Sequence, residues 1–241
     1  MMKHHVSDYA ELLKIREDLQ QKVGAFANID EQMAKKEQEV KSCEKELSKL
    51  AGELSAKRKK VKVPFEKAVT EIIRQLKMPH GVFEIEISEF SEYSNTGRDK
   101  VRFLFSANKG IAPDDMSRVA SGGELSRLML AIKAVAAESS YIPTLIFDEI
   151  DTGVSGEVAS KLGDIMQKMG ENLQIISITH LPQIASKAQN HFFVYKDEDA
   201  QKTRSCIRQL SHDERVTEIA KMLSNDKITP EAIKAAEVIL G

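Results

Sequence analysis

Stepping by sevens from Leu12 reaches Leu19, Phe26, Met33, Val40, Leu47, Leu54 and Val61, an apolar residue at every stop. So long a line on this period is the a position of a heptad repeat. The companion d line is patchier: Ile15, Lys22, Ile29, Lys36, Cys43, Leu50 and Lys57, with Lys, Glu and Gln filling the positions between. The pattern predicts a left-handed coiled-coil strand over residues 6–63, whose heptad line from Leu12 to Val61 is roughly 75 Å long at about 1.5 Å per residue. A lone amphipathic helix packed on a globular core is the alternative, but core helices seldom run so far without a break. Gly24 and Gly52 weaken the helix by about 1 kcal/mol each relative to alanine, too little to abolish it. No second heptad run of matching length follows. The partner strand is therefore expected from another chain or from sequence not present here.

What lies beyond the arm must form the core. The chain has 241 residues, 41% of them hydrophobic, enough for one or two domains. A formal net charge of −2 supplies no global positive field for nucleic acid, so any DNA contact must be local. The cluster Lys57-Arg-Lys-Lys-Val-Lys62 is one such place, read equally as a phosphate contact or as a solvated helix end favoured by the negative end of the dipole. Cys43 and Cys206 stand far apart in unlike contexts, which argues against a disulfide framework or metal cluster and suits a reducing cytosol. No apolar run approaches the roughly 20 residues that span a bilayer, and the chain start lacks a signal-peptide core, so a soluble, cytoplasmic protein is expected. With no Trp and 5% aromatic residues, a base-stacking surface is not expected.

Pro64 marks an expected helix boundary or kink, followed by a helical stretch from Phe65 to Leu76. Val82–Ile87 and Val101–Phe105 alternate as strands of a hairpin about the turn Ser94–Gly97. Ser121, Gly122 and Gly123 then precede Leu125, Leu128, Met129, Ile132, Val135 and Ala136, whose spacing is that of a helix buried on one face. A Ser-Gly-Gly turn at a helix start offers unpaired N–H groups, a hydroxyl and the positive end of the dipole, which suits a phosphate. The same residues read as a plain N-cap, since Glu124 stands at capping-box spacing from Ser121.

Two buried-type strands follow. Ile142–Phe147 runs into Asp148 and Glu149, and Leu173–Ile178 runs into Thr179 and His180. A helix over Val158–Met169 lies between them, so the unit is a parallel βαβ crossover with both polar ends on one sheet edge, where open α/β sheets bind ligands. His191–Tyr195 and Thr203–Arg208 form a hairpin expected to finish that sheet, and helices close the chain at Val216–Leu223 and Pro230–Leu240.

Taken in order, Ser121-Gly-Gly-Glu124, the strand into Asp148-Glu149, the loop from Asp151 to Gly156 and His180 resemble the signature motif, Walker B strand, D-loop and switch histidine of the ATP-binding cassette ATPases. A coiled-coil arm on such a head resembles the chromosome-maintenance-like branch. The wording of Val119–Arg127, Phe147–Gly156 and Thr179–Ser186 is similar to its bacterial DNA-repair members over essentially the whole chain. The resemblance implies an α/β fold, with residues 64–241 as the C-terminal lobe of an ATPase head behind the arm strand.

It also implies roles. Asp148 is expected to hold Mg²⁺, Glu149 to polarise the attacking water, and His180 to contact the γ-phosphate of ATP or hold that water. Ser121, Gly122, Gly123 and Glu124 are expected to meet ATP held by a second head, and Asp151 to lie at the same interface of a homodimer. Arg118 and Arg127 are open between ion pairs and phosphate contacts. One part is absent: the 241 residues hold no Gly-x-x-x-x-Gly-Lys-Ser/Thr loop to cradle the phosphates. In the family that loop lies in an N-terminal lobe ahead of the first arm strand, so the chain is expected to be inactive alone and to act on DNA only in the complete protein. A nucleotide-free coiled-coil scaffold and a transporter ATPase subunit are the other readings.

Overall fold

A computed structural model describes residues 8–118, 121–137, 142–154, 156–199, 202–224 and 228–241. The chain divides into two compact units, residues 1–59 with 89–99, and residues 60–88 with 100–241. One helix, α1 (Tyr9–Gln75), runs through Pro64 without stopping there. Proline removes one N–H from the ladder, and here the turns on its C-terminal side are anchored by Val69 and Ile73, both fully buried. The separate helix expected over Phe65–Leu76 is the last part of α1.

In the first unit the heptad seam faces solvent. Leu19, Met33, Val40, Leu47 and Leu50 are between 41% and 57% exposed, so among the described residues nothing covers them. Pairs at helical spacing such as Lys22–Asp18 and Lys35–Glu31 line the polar side, at a few tenths of a kcal/mol each. The tip of the hairpin formed by β1 (Val82–Ser94) and β2 (Gly97–Ser106) seats on this helix. Its turn needs Gly97, at φ 94°, where a Cβ would stand 3.4 Å from Leu54 Cδ2. Ala51 is buried there, and Asp99, with 2% of its side chain exposed, accepts from Arg58 at 2.8 Å.

The second unit is built on α2 (Gly122–Ala137), which is buried on two faces rather than the single one its pattern suggests. Leu128 and Ala131 join Val69, Ile73, Phe83 and Phe105, while Leu130, Ala134 and Ala137 join Leu76, Phe147, Leu162 and Met166. Ala136, read as part of the buried stripe, is exposed. A second tie fixes this helix: the Arg127 guanidinium donates to Gly123 O at 3.0 Å and to Leu76 O, at the end of α1, at 3.1 Å. Arg127 therefore holds backbone, and Arg118 pairs at the surface with Asp114, on the two-residue strand β3 (Asp114–Asp115) that lies antiparallel to β2.

β4 (Thr144–Asp148), α3 (Gly156–Met169) and β5 (Gln174–Ile178) form the expected parallel crossover, in register from Thr144↔Gln174 to Asp148↔Ile178. A short helix, α4 (Pro182–Ala185), follows β5 and was not legible in the sequence. β6 (Phe192–Asp199) and β7 (Lys202–Gln209) pair antiparallel, but they form a sheet of their own and do not finish the β4–β5 sheet. Helices α5 (His212–Ser224) and α6 (Pro230–Leu240) close on each other through Ile219, Ala220, Ala232 and Ala236. Among the described residues no helix is long and apolar enough to cross a membrane.

The buried pair on the arm gives a test. The hydrogen bond from Arg58 holds the Asp99 carboxyl below the usual carboxylate range, against the opposing effect of its burial. Stability from a lowered carboxyl is present in full above the ordinary range and is lost as pH falls through the folded value. We expect Asp99→Asn to loosen the hairpin tip by about 1.5–3 kcal/mol at neutral pH. Hydrogen exchange of the β1–β2 tip amides checks this, and the gap between the two proteins should close in acid.

Candidate functional site

Parallel pairing carries both strand ends to one edge of the sheet. Asp148 is the last residue of β4 and lies opposite Ile178, the last of β5, and the Glu149 N–H donates to Ile178 O at 3.2 Å, extending the ladder by one step. Asp148, Glu149 and His180 are all exposed at that edge. Alternation accounts for Asp148: its neighbours in the strand, Phe147 and Leu145, turn inward onto α3, so the residue after Phe147 must point the other way.

Glu149 is one of only two non-glycine residues at positive φ among those described, at 46°. The left-handed conformation costs an L-residue roughly 1–2 kcal/mol. Two bonds hold it: Thr152 N–H and Thr152 Oγ1–H both donate to Glu149 O, at 3.2 and 2.9 Å. Such strain, held by surrounding bonds at the end of a strand, is typical of functional positions.

The Ser-Gly-Gly turn comes to the far side of the same loop. Gly123 packs so closely against residues 152 and 153 that a Cβ on it would stand 3.3 Å from Gly153 O and 3.4 Å from Thr152 O. Any side chain would push the loop back. Ser121 Oγ lies 3.5 Å from the Glu124 N–H and Ser121 O accepts from Leu125 N at 3.0 Å, so Ser121 caps α2 while remaining exposed. Gly122 is open on all sides. Val119, Ala120 and Ser155, part of the quoted motifs, lie outside the described residues.

Asp151, expected at a head–head interface, turns its side chain into its own lobe. It is fully buried, and its Oδ2 accepts from Thr179 Oγ1 at 2.5 Å and from the His180 N–H at 3.3 Å. Its carboxylate therefore faces the end of β5 and no open surface. Sequence spacing puts an acid two residues after Glu149 but does not say which way a loop side chain turns.

Among the described residues no group of three or more His, Cys, Asp or Glu side chains gathers as a metal cage. One exposed carboxylate, Asp148, is what a Mg²⁺ ion needs from protein when phosphate oxygens and water supply the rest of its octahedron. The donor set fits that ion and no dedicated all-protein metal site.

No protein-family profile matches the chain. Curated proteins do. It is 42% identical over 197 residues, 82% of its length, to the DNA repair protein RecN of Rickettsia conorii, and 34% identical over 239 residues, 99% of its length, to that of Vibrio cholerae. This chain is a RecN homologue over the aligned part. It spans 36% and 43% of those two proteins, so it corresponds to well under half of a RecN polypeptide. Among solved structures, the Smc head domain with a coiled coil and joint from Pyrococcus yayanosii superposes on 66% of the chain and 29% of its own, with a TM-score of 0.51 at 17% identity. The chain thus shares the fold of that Smc head domain over the superposed part, a long helix followed by a mixed α/β body.

The strained carboxylate offers a measurement that needs no ligand. Replacing Glu149 with Gly removes the left-handed penalty from an exposed side chain that makes no packing contact of note. We expect Glu149→Gly to raise unfolding stability by at most about 1 kcal/mol, the relieved left-handed cost of roughly 1–2 kcal/mol less the roughly 0.4–1 kcal/mol that glycine adds in unfolded-state entropy, read by chemical denaturation.

Proposed function

We propose that this chain supplies the C-terminal lobe of a RecN-type ATPase head and one strand of its coiled-coil arm. The observation that carries the reading is the in-register β4–β5 pair, which sets Asp148 and Glu149 beside His180 on one exposed edge. Asp148 would hold Mg²⁺, which when bound would supply positive charge against that of the phosphates. Glu149 accepts a proton from the attacking water, and His180 orients that water or the terminal phosphate of ATP. Phosphoryl transfer asks little more of protein than positioning and charge stabilisation, so a carboxylate, an imidazole and N–H donors suffice.

The Ser121-Gly122-Gly123 turn, with Glu124 beside it, faces the nucleotide of a second head, its hydroxyl and N–H groups at the positive end of α2 serving as donors. Binding of ATP between two heads then couples nucleotide to DNA at the ends of the arms. The relatives' name, DNA repair protein, supports a role in DNA repair.

Two open apolar surfaces support a missing first lobe. The heptad seam of α1 has no partner, and one face of the β4–β5 sheet shows Ile146, Ile176 and Ile178 at 60%, 43% and 54% exposure. A lobe carrying the phosphate-cradling loop, the remaining strands and the first arm helix answers both.

ATP hydrolysis is to be measured for the chain alone and after mixing with a polypeptide carrying that loop and first arm helix. Turnover is expected only in the mixture, and Glu149→Gln should lower it roughly 10²–10⁴-fold with less effect on ATP binding. Turnover by the chain alone, or wild-type turnover in the Gln variant, removes Glu149 and the split site from the mechanism.

A further inference from the structure

The buried carboxylate of Asp151 has more acceptor capacity than its neighbours use. Its side chain is 0% exposed, and Oδ2 gathers three groups from the end of β5: the Thr179 hydroxyl at 2.5 Å, the His180 N–H at 3.3 Å and His180 Nδ1 at 3.4 Å. Oδ1 is buried with no hydrogen-bond partner. The Thr179 oxygen in turn accepts from Leu181 N at 3.0 Å, so its hydroxyl proton is directed at Asp151. The imidazole itself is 69% exposed. One edge of the ring therefore rests on a fixed buried acceptor and the other stands in the open.

Burying a carboxylate without a full set of donors is costly. A helix dipole or an arginine is the usual remedy, and neither contacts Asp151: what faces it is one hydroxyl, one backbone N–H and the imidazole. A neutral imidazole carries its proton on one nitrogen only, and the group facing the other determines which. We propose that Asp151 is a positioning residue that holds His180 with its proton on Nδ1, directed at Oδ2, and so leaves Nε2 outward as an acceptor. Thr179 donates to the same oxygen and so helps to fix the carboxylate. The loop that begins with Glu149 thereby sets the protonation of the histidine at the end of the neighbouring strand. Its consequence for turnover rests on the ATPase reading above; the tautomer does not.

The test has two arms. In the chain labelled with ¹⁵N-histidine, at a pH where His180 is neutral, long-range proton–nitrogen correlations should show the Nδ1–H form, with Asp151→Ala shifting the ring to the Nε2–H form that free imidazole prefers. Thr179→Val, which keeps the carboxylate, should retain the Nδ1–H form and serves if the alanine variant does not fold. A wild-type His180 in the Nε2–H form overturns the proposal, as does an unchanged ring in a folded Asp151→Ala. In the restored head, Asp151→Ala should lower kcat on the order of 10²-fold with KM for ATP nearly unchanged. If the wild-type mixture hydrolyses no ATP, the ATPase reading fails while the tautomer result stands. A confirmed tautomer with wild-type kcat in Asp151→Ala instead overturns the positioning role.

Discussion

Everything at the candidate site depends on two five-residue strands pairing parallel and in register. A slip of one residue would turn Phe147 out of the core and Asp148 into it, since side chains alternate between the faces. The register is held by burial on one side only: Leu145, Ile175 and Phe147 meet α3 and its neighbours. Fully burying a side chain of that size contributes about 1.5–3 kcal/mol, so even this small sheet has a strongly preferred register. Parallel sheets ordinarily have both faces covered. Here, among the described residues, the second face exposes Ile146, Ile176 and Ile178, which the proposed reading assigns to contact with a further lobe.

The loop after β4 converts that alignment into chemistry. Glu149 at φ 46° and Gly153 at φ 74° reverse the chain within five residues, and Thr152 closes the reversal with two bonds to one carbonyl. The reversal has two outcomes. It brings residues 152 and 153 against Gly123, so the start of α2 and the end of β4 cannot move independently. It also drives Asp151 inward beneath Thr179 and His180. Strain at the exposed carboxylate and burial of the next acid are thus parts of one turn.

Much of this was legible beforehand, and the misses have physical causes. Heptad spacing found the arm because a period survives without its partner, and the βαβ crossover followed from two apolar runs, each ending in polar residues. Pro64 misled because a proline rule describes local cost, whereas Val69 and Ile73 supply tertiary anchorage that offsets it. For α2, a stripe analysis assumes one wet face, and this helix lies between two cores. The hairpin at β6–β7 was assigned to the wrong sheet because strand content is written locally while sheet order is not. For Asp151 the position in the loop was legible in the sequence, and the burial of its carboxylate against Thr179 and His180 came only from the fold.

The two bare surfaces differ in how they could be recognised. The exposed seam of α1 announces its occupant, since a heptad can be satisfied only by another helix of similar length. Ile146, Ile176 and Ile178 announce nothing in sequence, because an apolar strand reads the same whether one face or both are covered. Only the fold separates them, by burying Phe147 at 2% exposure while leaving Ile146, its neighbour in the same strand, at 60%. A sheet with nothing to cover it would have little reason to keep isoleucine at one outward position of β4 and two of β5, where threonine or lysine would pair as well and resist association. Under the proposed reading the same missing lobe explains the seam, the sheet face and the absent phosphate loop. That economy favours a divided ATPase head over a self-sufficient scaffold, for which the sheet face would have no use.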